Sequence, residues 1–386
     1  MNKKAIAILG AIFLLIVGTL GFLVYSKYAS KPAPQPVATN PPVDNPTPTS
    51  TDQTLNNNAS STPPAPPASA VVNLTQEQVV SPALFYNGQG LNYFDNQGNL
   101  FEAGFVNNNG QLSLTNKKQV AIPLKSGISK ILWPQKGSDY LAQFTAQNGG
   151  QTWSYFNSSS QNYTDLPPQI TALDWMPSGN QIVYDWLDNN KTTLNIGNPD
   201  ATNYKFLADM WENDDALSVS PDGTQILYYE TQNPGATNAI NSVSIDGKIW
   251  KGLVKNGYNF GVLWSPDSQK FLFAKKDLTT QKYQLWIYNL TSGEVKNLGF
   301  FTTADKAAWD KDSNVIYVAV PNFGTPENSL TQDSFFRMNT TTLEKKQYSG
   351  GSLPIDGRNL FLNSTGDKLL FKNAQDGGLY YLDLTQ

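Results

Sequence analysis

The sequence predicts an all-β protein, a seven-bladed β-propeller of four-stranded antiparallel blades, and three observations predict it. One phrase recurs six times between Trp133 and the C-terminus: an apolar pair, often with tryptophan, then a tight turn and an alternating apolar strand. Its anchors, Trp133, Trp175, Val219, Trp264, Trp309 and Leu362, follow one another at steps of 42, 44, 45, 45 and 53 residues. A period near 45 with several short strands per unit belongs to propeller blades. The third observation is a divergent seventh unit ahead of these six, around Ala83-Leu84-Phe85-Tyr86 and Leu91-Asn92-Tyr93-Phe94.

Ahead of the ring the chain divides into three segments. Residues 1–4 carry Lys3 and Lys4. Residues 5–25, Ala5 to Tyr25, form a 21-residue run without charge, rich in Ile, Leu, Val and Phe. At 1.5 Å per residue a helix of that length matches the roughly 30 Å of bilayer hydrocarbon. The flanking lysines predict an N-terminus inside the cytoplasm. A cleaved signal peptide is the rival, but its apolar core is shorter and ends in a small-x-small cut site. Tyr25-Ser26-Lys27-Tyr28 lacks that pattern, so an uncleaved signal anchor is expected, with all that follows outside the cytoplasmic membrane. Residues 26–69 are rich in Pro, Thr, Ser and Asn and keep no apolar periodicity, which predicts a disordered stalk.

The ring itself is expected over residues 70–386. In each blade the anchor lies on the innermost strand, a. A turn such as Pro221-Asp222-Gly223 leads to strand b, since Asp-Gly tolerates the dihedrals of a tight turn. Strand c is clearest in Gln284-Leu285-Trp286-Ile287-Tyr288-Asn289, and strand d follows the glycine turn at Thr291-Ser292-Gly293. The final unit stops after its strand c. Val72-Asn73-Leu74 lies as far before Phe85 as Lys296-Asn297-Leu298 lies before Trp309, so residues 70–75 are expected to supply the missing outer strand. Closure of that kind leaves no open sheet edge.

Composition excludes several chemistries. The chain has no cysteine and no histidine, so disulfides, thiolate sites, His-ligated zinc and a Ser-His-Asp triad are all excluded. Arg337 and Arg358 are the only arginines, which argues against an arginine cluster for phosphates or carboxylates. Residues 1–69 hold four lysines and two aspartates, leaving the ring 23 basic and 29 acidic side chains, a net −6. Without a basic face, nucleic acid is a poor partner. No cofactor and no metal is expected: Asp310-Lys311-Asp312-Ser313-Asn314 begins like a calcium loop but lacks its sixth-position glycine and closing glutamate, and reads as an ordinary turn.

The phrases Leu263-Trp264-Ser265-Pro266-Asp267-Ser268 and Leu285-Trp286-Ile287-Tyr288-Asn289-Leu290-Thr291-Ser292-Gly293-Glu294-Val295 resemble the repeats of TolB-like propellers and of the dipeptidyl-peptidase IV N-terminal domain. The resemblance spans roughly residues 70–386 and rests on structural residues. It implies a periplasmic or cell-surface interaction module, or a domain gating a serine peptidase; no Gly-x-Ser-x-Gly elbow accompanies it here.

One cluster departs from the repeat register. Trp211, Glu212, Asp214 and Asp215 fall in a loop between blades, and Asp185, Trp186 and Asp188 fall where the preceding blade's b–c turn is expected. Two tryptophans beside five acids form the candidate partner-binding patch. The expectation is therefore a non-catalytic, membrane-anchored module, not an enzyme, that binds a protein or an envelope polymer. The alternatives are a glycan- or peptide-degrading enzyme working through carboxylates in the propeller channel, or a passive structural envelope component.

Overall fold

Strand b of each blade is apolar on both faces because each blade packs between two others. In the computed structural model Ile226, Leu227, Tyr228 and Tyr229 are all buried in succession, as are Phe271, Leu272, Phe273 and Ala274. Outer strands meet water on one side and show it: Asn162–Asp165 and Lys345–Tyr348 are mostly exposed. The structure describes residues 71–385 apart from 86, 146–148, 190, 211–215, 232–237, 278, 323–329 and 349–352. The expected membrane-crossing run and stalk lie outside these residues. Among the described residues no helix is long and apolar enough to cross a membrane.

Seven antiparallel four-stranded sheets result, numbered here as blades 1 to 7 in chain order. Their inner strands are Val80–Leu84, Ile128–Leu132, Leu173–Trp175, Ala216–Val219, Gly261–Trp264, Ala307–Trp309 and Gly357–Leu362. The predicted anchors fall on or immediately after the inner strands of blades 2 to 7. Blade 7 takes its outer strand from the other end of the chain: Val71–Asn73 pairs antiparallel with Leu379–Asp383, in register Val71 to Leu382 and Asn73 to Tyr380. The Leu74 and Thr75 amides both donate to the Leu379 carbonyl, and the Thr75 hydroxyl accepts from the Leu379 amide.

What joins blade to blade is a repeated hydrogen bond. The Trp133 indole N–H donates to the Ser81 carbonyl at 2.8 Å, Trp175 to Leu132 at 2.9 Å, Trp264 to Ser218 at 3.1 Å and Trp309 to Leu263 at 3.3 Å. In the last three, the acceptor is the residue before the preceding blade's anchor. Blade 4 has Val219 as its anchor and no indole. There the Asp174 carboxylate, from the residue before Trp175, accepts the Val219 amide at 2.8 Å. The turns repeat a second link: the Asp222 amide donates to the Ser268 hydroxyl and the Asp267 amide to the Ser313 hydroxyl, both at 3.0 Å. The Asp310 carboxylate accepts the Asn314 and Val315 amides, so this side chain closes its own turn.

Two outcomes follow from this geometry. A chain beginning at Glu77 loses the closing strand and should melt several degrees below one beginning at Ala65, measured by thermal unfolding; equal midpoints would show that closure does not use residues 71–73. Replacing Trp264 by phenylalanine keeps much of the apolar surface but leaves the Ser218 carbonyl without its donor. The expected cost is about 1–3 kcal/mol in denaturant unfolding.

Candidate functional site

A concavity of about 410 Å³ opens where the inner strands of blades 5 and 7 both reach, across blade 6. A space touching Gly261–Leu263 of blade 5 and Asn359–Leu360 of blade 7 lies on the axial side of blade 6. Its volume falls within the range of small-ligand sites, about 300–1,000 Å³. Tyr229, Phe260, Val262 and Tyr283 give it apolar walls; Asn259, Thr303, Asp305 and Asn359 give it polar ones.

Local backbone geometry places the polar residues. A 3-10 turn, Ala304–Lys306, leads into blade 6 and sets Asp305 exposed at the rim while Lys306 turns inward, 1% exposed. In blade 7 the inner strand shifts register between Arg358 and Phe361, and Asn359 sits at φ 52° within that irregularity. Asn259 has the same φ of 52° in the segment entering blade 5. Asparagine is among the few side chains that tolerate this left-handed region.

Beside the concavity lies a buried charge network. The Lys306 ammonium donates to Asp333 Oδ2 at 2.5 Å, to Asp356 Oδ1 at 2.6 Å and to the Thr331 hydroxyl at 3.0 Å. Both carboxylate side chains are 0% exposed. Arg358 then donates from Nε to Asp356 Oδ1 at 2.8 Å and reaches Asp305 Oδ2 at 3.5 Å with Nη1. One planar guanidinium thus bridges an exposed carboxylate and a buried one. Burial works against the charged form of Asp356. Hydrogen bonds from Arg358 and Lys306 and the Thr331 amide outweigh it and hold the carboxyl at about 2. Asp174, on the inner strand of blade 3, goes the other way: burial pushes it up to about 6, against the pull of the Val219 and Trp175 amides and of Lys130.

The sequence-predicted patch fares differently. Asp185 is 1% exposed and accepts the Thr171 hydroxyl and the Thr171 and Ala172 amides, so it braces the entry to blade 3 and presents no charge to a partner. Trp186 is half-buried against the core between blades 2 and 3. Strand b of blade 3 continues to Asp188, which pairs with Lys191, so residues 185–188 form strand where a turn was expected. Asp188 is exposed. Trp211, Glu212, Asp214 and Asp215 lie outside the described residues. The sequence reading passed over Lys306, Asp333, Asp356, Asp305, Asn259 and Thr303; of the network it singled out only Arg358, as one of two arginines. All sit in segments entering strands a or c, outside the repeated phrase, and that departure from the repeat was the available signal.

No family model and no curated protein matches the chain. Solved structures do. Oligogalacturonate lyase from Vibrio parahaemolyticus superposes with a TM-score of 0.58 at 11% identity, over 81% of this chain and 93% of that one. Oligogalacturonate lyase in complex with manganese gives 0.57 at 10% identity over the same shares. The β-propeller domain of Cps50 (Swd1) from Myceliophteria thermophila gives 0.55 at 10% identity, over 81% of this chain and 99% of that one. At such identities the likeness is one of fold. It nonetheless corrects the expectation of a non-catalytic, non-enzymatic module: two of these rings belong to lyases, so the architecture is no argument against catalysis. The missing histidine removes one class of base and leaves carboxylate chemistry open. Manganese finds no ligand set among the described residues. Among the described residues no group of three or more carboxylates could hold a metal ion. The pair that does converge, Asp333 and Asp356, already shares the Lys306 ammonium.

Two predictions test the network. Lys306→Met leaves the buried Asp333 without its cation and Asp356 with Arg358 alone, and should cost about 3–5 kcal/mol of stability at neutral pH. The lowered value of Asp356 gives stability that is complete above the ordinary carboxylate value of 3.8 and is lost as pH falls through about 2. Thermal midpoints of the parent should therefore drop between about pH 4 and pH 2, with a shallower drop in Asp356→Asn.

Proposed function

We propose that this propeller is a carboxylate-dependent, glycan-degrading enzyme whose substrate lies in the concavity between blades 5 and 7. The observation that carries the reading is the juxtaposition of one exposed carboxylate, Asp305, with the concavity it lines and a guanidinium that ties it to a second, ionised carboxylate. The use of the same ring by two oligogalacturonate lyases supports it.

Glycosidic cleavage needs a group that moves a proton at the bridging oxygen or the attacking water, and negative potential for an oxocarbenium-like transition state. Asp305 is the proton-transferring carboxylate, because it alone of the network both lines the space and meets solvent. Arg358 holds it in place. Asp356, kept ionised by Lys306 and Arg358, adds negative potential without leaving its buried position. Removing the proton-transferring group of such a pair costs about 10²–10⁴-fold in rate.

The finer placement proposed is outside the cytoplasmic membrane, as a TolB-like ring tethered by the uncharged run of residues 5–25. The composition of that run and the lysines before it support the tether. The test is release of reducing ends from a panel of oligosaccharides by the folded ring. Cleavage of at least one glycan is expected, with kcat reduced about 10²–10⁴-fold in Asp305→Asn and little change in melting temperature. Absence of cleavage across the panel, or an Asp305→Asn variant as fast as its parent, would overturn the proposal.

A further inference from the structure

Two inner strands of the ring carry a non-glycine residue in the left-handed region: Ser81 in blade 1, at φ 47°, and Asn359 in blade 7, at φ 52°. Both sit inside an irregularity of the pairing with strand b, between Val80 and Ala83 and between Arg358 and Phe361. A bulge re-aims a side chain, and a residue held in a sparsely populated conformation persists only where the surrounding structure imposes it. Ser81 has a structural use that accounts for it. Its hydroxyl accepts the Ile131 amide at 3.1 Å and its carbonyl accepts the Trp133 indole at 2.8 Å, so it joins blade 1 to blade 2. Asn359 has no such use. It is exposed, and its carboxamide meets no hydrogen-bonding partner among the described residues. Glycine would adopt the same backbone with less strain, so the packing of the ring gives no reason for an asparagine here.

The concavity gives one, because Asn359 lines it. Its chain neighbour Arg358 reaches Asp305 at 3.5 Å, so Asn359 and the exposed Asp305 carboxylate border neighbouring parts of that space. On the blade 5 side Val262 and Tyr283, both partly buried, give a largely apolar wall. A carboxamide presents a donor and an acceptor side by side. Adjacent hydroxyls of a sugar ring, one accepting and one donating, complement that pair, and the C–H bonds of the ring suit the wall.

We propose that Asn359 is a substrate-binding residue whose carboxamide bonds two neighbouring hydroxyls of the sugar unit lying next to Asp305. The proposal rests on the glycan reading above and deepens it. It narrows the substrate to glycans whose sugar unit at this position keeps two adjacent hydroxyls free, since an O-methyl or O-acetyl group there removes a donor and crowds the amide. Proton transfer stays with Asp305, and Asn359 takes no part in it.

Calorimetric titration of the full chain carrying Asp305→Asn reads binding without turnover. Cellotetraose, xylotetraose, mannotetraose and tetragalacturonate are the probes. At least one should bind, and adding Asn359→Gly should weaken that binding about five-fold or more through the loss of two hydrogen bonds. Glycine suits φ 52°, so the variant keeps the fold, and the fitted stoichiometry reports its folded fraction. The per-O-methylated form of the bound probe should show no detectable binding. No binding of any probe, unchanged affinity in Asn359→Gly, a fall confined to stoichiometry, or equal affinity for the per-O-methylated form would overturn the proposal. The two readings fail separately. A probe bound through Asn359 but never cleaved by the parent chain sinks the enzymatic reading and leaves the binding residue. A glycan cleaved with the same KM by the parent and by Asn359→Gly does the reverse.

Discussion

The ring depends on one contact, the indole N–H of an anchor tryptophan donating to a carbonyl of the preceding blade's inner strand. A blade cannot slide along its neighbour without breaking it, and a buried carbonyl left without a donor costs about 1–3 kcal/mol. The register of the inner strands is thereby tied at four junctions, blades 1–2, 2–3, 4–5 and 5–6. Where blade 4 has Val219 in place of tryptophan, the link survives with its polarity reversed: a carboxylate on blade 3, Asp174, takes the amide of blade 4. Burial raises that carboxyl to about 6, so the substitute carries a cost in its charged form that an indole avoids.

Because the inner strands are fixed, the segments leading into them are free to vary, and chemistry collects there. Asn259 leads into blade 5, Thr303 and Asp305 into blade 6, and Asp356 into blade 7. Lys306 ties the entry of blade 6 to Asp333 at the start of that blade's strand c and to Asp356 at the entry of the next. The same ammonium that compensates two buried charges also anchors Arg358 through Asp356, and Arg358 reaches Asp305 at the rim. The buried ion network and the concavity thus meet at one residue, Asp305. That meeting point links the acid stability of the ring to the electrostatics of the concavity.

The architecture was legible in the sequence because its cause is periodic. Trp175, Trp264 and Trp309 recur for the same packing reason, and the turns at Asp222 and Asp267 for the same hydrogen-bonding reason. The strand over Val71–Asn73 was legible from its distance to Phe85. The site was not, because its residues come together through tertiary structure alone: Lys306 and Asp356 are 50 positions apart, and no period relates them. Asp185 shows the converse error. Asp185 looked like surface charge beside an unexplained Trp186, yet its carboxylate accepts backbone amides of residues 171 and 172, and only the fold reveals them. The non-catalytic expectation failed for a related reason, since it weighed the absent histidine and the scarce arginines without knowing which carboxylates would meet.

Hydrogen exchange of the indole N–H groups, followed by NMR in the intact ring, tests most directly whether the interblade bonds act as one closed system. If they do, the indoles of Trp133, Trp175, Trp264 and Trp309 exchange together, at the slow rate of global unfolding. Exchange that differs blade by blade, with some of these four opening well before the ring unfolds, would contradict the account.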